Sequence, residues 1–144
     1  MDIQKFLRYI GKELKIIENR QVEAELIASH VLGISRSELH LNNNKKIQTN
    51  QYDQAKIIIE QRNNRYPLQY ILGSVYFYNA QIIVNPSVLI PRPETELLVE
   101  IILKENSIQK QDILDLCTGS GAIAIALKKE RQQWNIDASD ISKT

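Results

Sequence analysis

The sequence predicts an α+β chain in two parts. A small all-α helical bundle occupies residues 1–70, a β-hairpin linker follows over 71–86, and 87–144 begin an α/β domain of the nucleotide-binding kind. Three observations predict this. Apolar residues recur at helical spacing through the first seventy residues, and the period then shortens to that of strands between Pro67 and Pro86. Finally DILDLCTGSG, Asp112–Gly121, is a short apolar run that ends in small residues just ahead of the helix-forming AIAIALKK.

In the first part, Ile3, Phe6, Leu7, Ile10, Leu14 and Ile17 predict a helix from Asp2 to about Glu18, interrupted at Asn19. Val22, Ala24, Ile27, Ala28, Val31 and Leu32 predict a second helix, closed by Gly33. Ser35 with Glu38 reads as a capping box for a third helix through Leu41. A polar loop over Asn42–Asn50 leads to a fourth helix, Gln51–Tyr66, carried by Tyr52, Ala55, Ile58, Ile59 and Arg62 and ended by Pro67. Nothing in this bundle has a catalytic pattern, and His30 on the second helix reads as a packed or surface side chain. A core without chemistry positions either a partner or the next domain, and recognition of a partner is favoured over simple scaffolding.

Ser74–Tyr78 and Gln81–Val84 are β-rich runs separated by Asn79-Ala80, a hairpin whose aromatics read as packing surface. In Val88–Glu96, VLIPRPETE, prolines bracket Arg92, and Pro93 suits a helix start with Glu94 and Glu96 at its positive end. Leu97, Leu98, Ile101 and Ile102 should be the buried stripe of that helix. The stretch is either a stiff connector or a loop, Arg92–Thr95, that walls a substrate pocket.

Ile113, Leu114 and Leu116 predict a buried parallel strand, and Thr118–Gly121 a tight turn into a helix whose N-terminus faces a ligand. A second strand, Trp134–Ala138, delivers Asp140 nineteen residues after Gly121, where a carboxylate can accept ribose hydroxyls. Gly119, Gly121 and Ala124 also fit the dinucleotide pattern GxGxxA. Asp115, an acid inside the strand, favours S-adenosylmethionine instead, because a carboxylate there repels a pyrophosphate and attracts a sulfonium and an α-amino group. The plainer reading of Asp115 is a cap for nearby backbone N–H groups.

The 144 residues carry a net charge of +1, which gives no field for nucleic acid. One cysteine excludes an internal disulfide and suggests a reducing compartment, and two histidines beside it assemble no metal cluster by spacing. The amino terminus is amphipathic and lacks the apolar core of a signal peptide, and no run reaches the roughly 18 apolar residues of a membrane span. The expectation is a soluble, cytoplasmic protein.

Three stretches carry a resemblance. PLQYILG at Pro67–Gly73, VLIPRPETE at Val88–Glu96, and ILDLCTGSGAIAIAL with Asp140-Ile141-Ser142 resemble, in that order and spacing, the release factor glutamine methyltransferases of the HemK/PrmC family. The resemblance implies methyl transfer from S-adenosylmethionine to the glutamine side chain of the GGQ tripeptide in peptide chain release factors. It further implies a helical N-terminal domain that helps recognise the release factor, and a Rossmann-like class I methyltransferase domain. Asp115, Cys117, Thr118, Gly119, Ser120, Gly121 and Asp140 would then bind the cofactor, with Arg92, Pro93, Glu94 and Thr95 beside the active site. No metal, membrane or direct nucleic-acid contact is implied.

Two departures stand out. Cys117 replaces the family's usual first glycine in the turn and should take an ordinary negative φ. The Asn-Pro-Pro-Tyr segment that holds the substrate amide in the family does not occur, so the 144 residues read as the front part of a longer enzyme, without catalytic residues and inactive alone. Competing readings are a nicotinamide-dependent oxidoreductase, an adenine N6 methyltransferase acting on nucleic acid, and a non-catalytic fragment that binds a release factor.

Overall fold

The structure, a computed structural model, describes residues 1–15, 18–107 and 109–142. The chain divides into two compact units, Met1–Leu72 and Gly73–Thr144.

The first unit holds α1 (Ile3–Glu13), α2 (Arg20–Leu32), α3 (Arg36–Leu41), α4 (Thr49–Asn63) and α5 (Leu68–Leu72). Its core is built from the expected stripes, with Phe6 and Ile10 of α1, Ile27 and Ala28 of α2, Leu39 of α3 and Ala55 and Ile59 of α4 all buried. Helix α1 stops at Glu13, five residues short of the predicted end. The reason is tertiary: Asn63 donates from Nδ2 to the Glu13 carbonyl (2.9 Å) and accepts the Lys15 N–H at Oδ1 (2.9 Å), so a side chain of α4 takes over the helix end. Leu14 is buried as expected, whereas Ile17 lies outside the described residues.

Gly33 closes α2 in the left-handed conformation (φ 64°), and the Ser35–Glu38 capping box opens α3, with the Ser35 N–H on Glu38 Oε2 at 2.8 Å. Glu25 on α2 is buried and charged, a placement that requires partners. Arg36 of α3 donates to it from Nε (3.0 Å), and His40 Nε2 lies 3.4 Å from its other oxygen. Glu23, one turn away from the α2 start, receives a two-pronged bond from Arg62 of α4 at 2.8 and 2.9 Å.

Two boundaries differ from expectation. Helix α4 begins at Thr49 because Gln51 reaches back to accept the Gln48 N–H (2.8 Å), and it ends at Asn63, with Arg65 left-handed (φ 66°). Pro67 therefore does not end α4. It starts α5, accepting the Tyr70 and Ile71 N–H groups, in a stretch read from sequence only as the approach to the hairpin.

The second unit holds β1 (Ser74–Phe77), β2 (Ala80–Ile83), α6 (Glu94–Glu105), β3 (Asp112–Leu116), α7 (Ala122–Glu130) and β4 (Asn135–Ser139). Strands β1 and β2 pair antiparallel with Phe77 opposite Ala80, so the turn is Tyr78-Asn79, one residue earlier than predicted. Tyr78 takes φ 52° at the first turn position, where glycine is usual. Its N–H is held by Glu96 Oε1 (2.9 Å), while Asn79 donates from Nδ2 to Glu130 Oε1 (2.5 Å) and accepts Lys129 Nζ at its carbonyl (2.6 Å). The hairpin thus packs within the second unit, its tip gripped by the first turn of α6 and the last of α7.

That grip sets the rotation of α6. With Glu96 turned to the hairpin, the inward line continues through Val99 to the half-buried Ile102 and Leu103. The expected stripe is corrected accordingly, since Leu97, Leu98 and Ile101 are 46–59% exposed. Strands β3 and β4 pair in parallel, Asp112 opposite Asn135 through Leu116 opposite Ser139, with α7 as the connection between them. Helix α7 buries Ala122, Ala124, Ala126 and Leu127, while Leu114 and Leu116 are exposed, against the expectation of a strand buried on both faces. Among the described residues no helix is long and apolar enough to cross a membrane.

Gly11 sits in the interior of α1 with no positive φ, and a Cβ there would meet only the Ala24 Cβ at 4.0 Å. Gly11→Ala should therefore raise stability by about 1 kcal/mol through helix propensity alone, read as a higher denaturant midpoint at unchanged slope.

Candidate functional site

The sequence placed its main site residues where β3 hands over to α7, and the structure brings five of them into one bonded turn. Cys117 (φ 63°), Gly119 (φ 57°) and Gly121 (φ 74°) are all left-handed, so alternate residues from 117 to 121 curl the chain tightly. Thr118, between them, donates its N–H to the Ser139 carbonyl (3.0 Å), adding one bond beyond the β3–β4 ladder. Its hydroxyl donates to Asp115 Oδ2 at 2.6 Å. The Gly121 N–H returns to the Thr118 carbonyl (3.0 Å) and closes the turn.

Asp115 has a further bond. The same Oδ2 accepts the Ala124 N–H (3.2 Å), so this half-buried carboxylate caps α7, whose N-cap residue, Gly121, has no side chain to do so. Of the two readings open from sequence, the structure shows the capping role. The acid also stands at the positive end of the helix, where a negative charge is favoured.

Asp140 follows β4 and is exposed. Its Oδ2 accepts the Gly119 N–H (2.8 Å) and its Oδ1 the Ser142 N–H (2.9 Å). The bond from Ser142, followed by that from Gly119, holds the carboxyl below its usual range. Each oxygen retains lone-pair capacity for a further donor, and a Cβ built on Gly119 meets nothing within 4 Å, so space is open beside this acid. An exposed carboxylate at a strand end, an open glycine turn and a helix N-terminus together can receive a polar ligand rich in hydroxyl and amino groups.

Cys117 corrects the sequence expectation of a negative φ. Thr118 bonds Ser139 with its N–H and Asp115 with its hydroxyl at once, and the tight turn that holds both bonds accommodates Cys117 in the left-handed region. Residues Arg92–Thr95 lead into α6. Pro93 has helical backbone angles and precedes α6, and the Thr95 N–H bonds the Arg92 carbonyl (3.0 Å). Among the described residues no hydrogen bond or ion pair joins Arg92–Thr95 to residues 117–121. The sequence reading did not anticipate the Asp115–Thr118 bond, for which an acid followed three residues later by a threonine was the available signal. It also missed the Glu96–Tyr78 bond, which has no local signal.

Residues 5–73 match the family model described as PrmC N-terminal domain. The chain is 41% identical over 131 residues to a protein of Leptospira interrogans named release factor glutamine methyltransferase, covering 90% of this chain and 46% of that one. It is 45% identical over 124 residues (84% and 44%) to the protein of that name from Thermodesulfovibrio yellowstonii, and 39% over 142 residues (99% and 52%) to that from Buchnera aphidicola. By these matches the chain is similar to the N-terminal portion of the release factor glutamine methyltransferases of the HemK/PrmC family. The chain spans about half the length of the curated relatives it matches.

Two outcomes follow from this geometry. Cys117→Gly should stabilise the chain by about 1 kcal/mol, because it removes a non-glycine residue from the left-handed region while leaving the surrounding bonds unchanged; chemical denaturation measures it. Because the Asp140 carboxyl is lowered from 3.8 in the folded chain, its contribution is full above that pH and is lost as the pH falls through the lowered value. The Gly119 amide resonance should therefore titrate with a midpoint below 3.8, and a midpoint at or above it would show that the Asp140–Gly119 bond is absent in solution.

Proposed function

We propose that this chain provides the partner-recognition unit and the start of the cofactor-binding domain of a methyltransferase that modifies the glutamine side chain of the GGQ tripeptide in peptide chain release factors, using S-adenosylmethionine. The observation that carries the reading is the turn 117–121 with two acids bonded to it, Asp115 within β3 and Asp140 just after β4, in a chain whose relatives carry that enzyme's name. We read the β3–α7–β4 unit as the beginning of a Rossmann-like class I domain and Met1–Leu72 as the unit that meets the release factor. The setting implied is cytoplasmic.

The donor set fits the cofactor. Asp140 would accept the ribose hydroxyls, and Cys117 to Gly121 would line the methionine end against open space. Asp115 would act chiefly by holding the turn, its negative charge favouring a cationic ligand over a pyrophosphate. When bound, S-adenosylmethionine supplies an electrophilic methyl group. An amide nitrogen is a weak nucleophile because its lone pair is delocalised into the carbonyl, so the protein's work is to orient it. Such positioning can contribute on the order of 7–11 kcal/mol of barrier lowering. Arg92–Thr95, stiffened by two prolines, would form one wall of the substrate pocket. The Asn-Pro-Pro-Tyr segment does not occur in these 144 residues, and on this reading they transfer no methyl group by themselves.

Calorimetric titration of the chain with S-adenosylhomocysteine and, separately, with NAD tests the reading. Weak binding of the former, none of the latter, and a loss of at least about tenfold in Asp140→Ala are expected, the last from removing hydrogen bonds to a charged acceptor. Tighter binding of NAD, or an Asp140→Ala variant that binds as before, would defeat it.

A further inference from the structure

A cavity of about 400 Å³ opens in the first unit between α1 and α2, with His40 of α3 at its side. Leu7 and Gly11 of α1 and Ala24 of α2 give it an apolar floor, and Arg8 and Arg20 border it with positive charge. Among the described residues the one acid on its wall, Glu25, is buried and already paired with Arg36 of α3. Arg20 is anchored through its guanidinium to the Lys15 carbonyl (3.2 Å), which holds its charge at the border.

Gly11 supplies an independent indication. Glycine inside a helix is unfavourable, and the packing of α1 on α2 does not demand it here, since a Cβ would make only an ordinary contact with Ala24. What the missing side chain does provide is open space on the cavity floor. A site that keeps apolar room at the expense of helix stability, under two arginines, is complementary to an apolar side chain flanked by carboxylates.

We infer that this cavity is a docking site for an acidic segment of the protein partner that inserts one or two apolar side chains. Resting on the function proposed above, the partner is the release factor. The apolar floor gives the contact its affinity, and the arginines orient the segment and speed its capture. This assigns the recognition role of the first unit to the α1–α2 face.

Binding of the 144-residue chain to a purified release factor, by fluorescence anisotropy at low and at raised ionic strength, tests the inference. Arg8→Glu combined with Arg20→Glu should weaken binding at least tenfold, and so should Gly11→Leu, which fills the floor. Lys45→Glu combined with Lys46→Glu, an equal change in charge at exposed residues outside the cavity, should alter it less than twofold, and raised salt should weaken the unaltered chain. Circular dichroism checks the fold of each variant; the arginine double charge reversal, confined to exposed side chains, keeps the test decisive if Gly11→Leu fails to fold. Unchanged affinity in the arginine double variant, or no binding by the unaltered chain, overturns the inference. S-adenosylhomocysteine binding that persists in the latter case leaves the methyltransferase reading standing and removes only the docking site.

Discussion

One carboxylate oxygen organises the second unit. Asp115 Oδ2 receives the Thr118 hydroxyl and the Ala124 N–H, and so joins the last residues of β3, the turn and the first turn of α7. Thr118 is thereby positioned to donate to Ser139, which registers the end of β4 against the turn, and Asp140 follows at once with its bond to Gly119. Cys117, within this bonded turn, takes a left-handed backbone. A hydrogen bond to a charged acceptor contributes roughly 1.5–3 kcal/mol, so two on one half-buried oxygen can sustain one such residue.

The first unit is held differently. Its apolar core is supplemented by ion pairs that fix α2 against its neighbours, Glu25 with Arg36 and Glu23 with Arg62, and His40 Nε2 lies 3.4 Å from Glu25. A buried carboxylate is costly unless paired, so these contacts do more to select one arrangement of the helices than to add net stability. The arrangement they select leaves the apolar floor of Leu7, Gly11 and Ala24 uncovered.

What could be read from sequence and what could not divides along the range of the interactions. Periodicity placed α1 to α4, the hairpin, β3, α7 and β4, and local chemistry identified the Ser35–Glu38 box, the Gly33 cap and the glycine turn, because those bonds join residues a few positions apart. The misplacements have distant causes. Asn63 ends α1, and Glu96 turns α6 so that Val99 faces inward and Leu97, Leu98 and Ile101 face out. At the candidate site the residues were legible by type and spacing, and Asp140 by its offset. The role of Asp115 was not, since a strand acid can equally face a ligand or cap the helix behind it, and only its distances to Thr118 and Ala124 distinguish the two.

The partnership of Asn63 with the end of α1 also bears on the order in which the chain can assemble. Bonds that span 48 and 50 residues, together with those between Met1 and Ile3 and the stretch 45–47, bind α1 to segments made much later. On a ribosome, where folding proceeds from the amino end as the chain emerges, α1 can form its turns early but has no fixed terminus until Asn63 is free of the exit tunnel. By then the hairpin is already under synthesis, so completion of the first unit overlaps with production of the second.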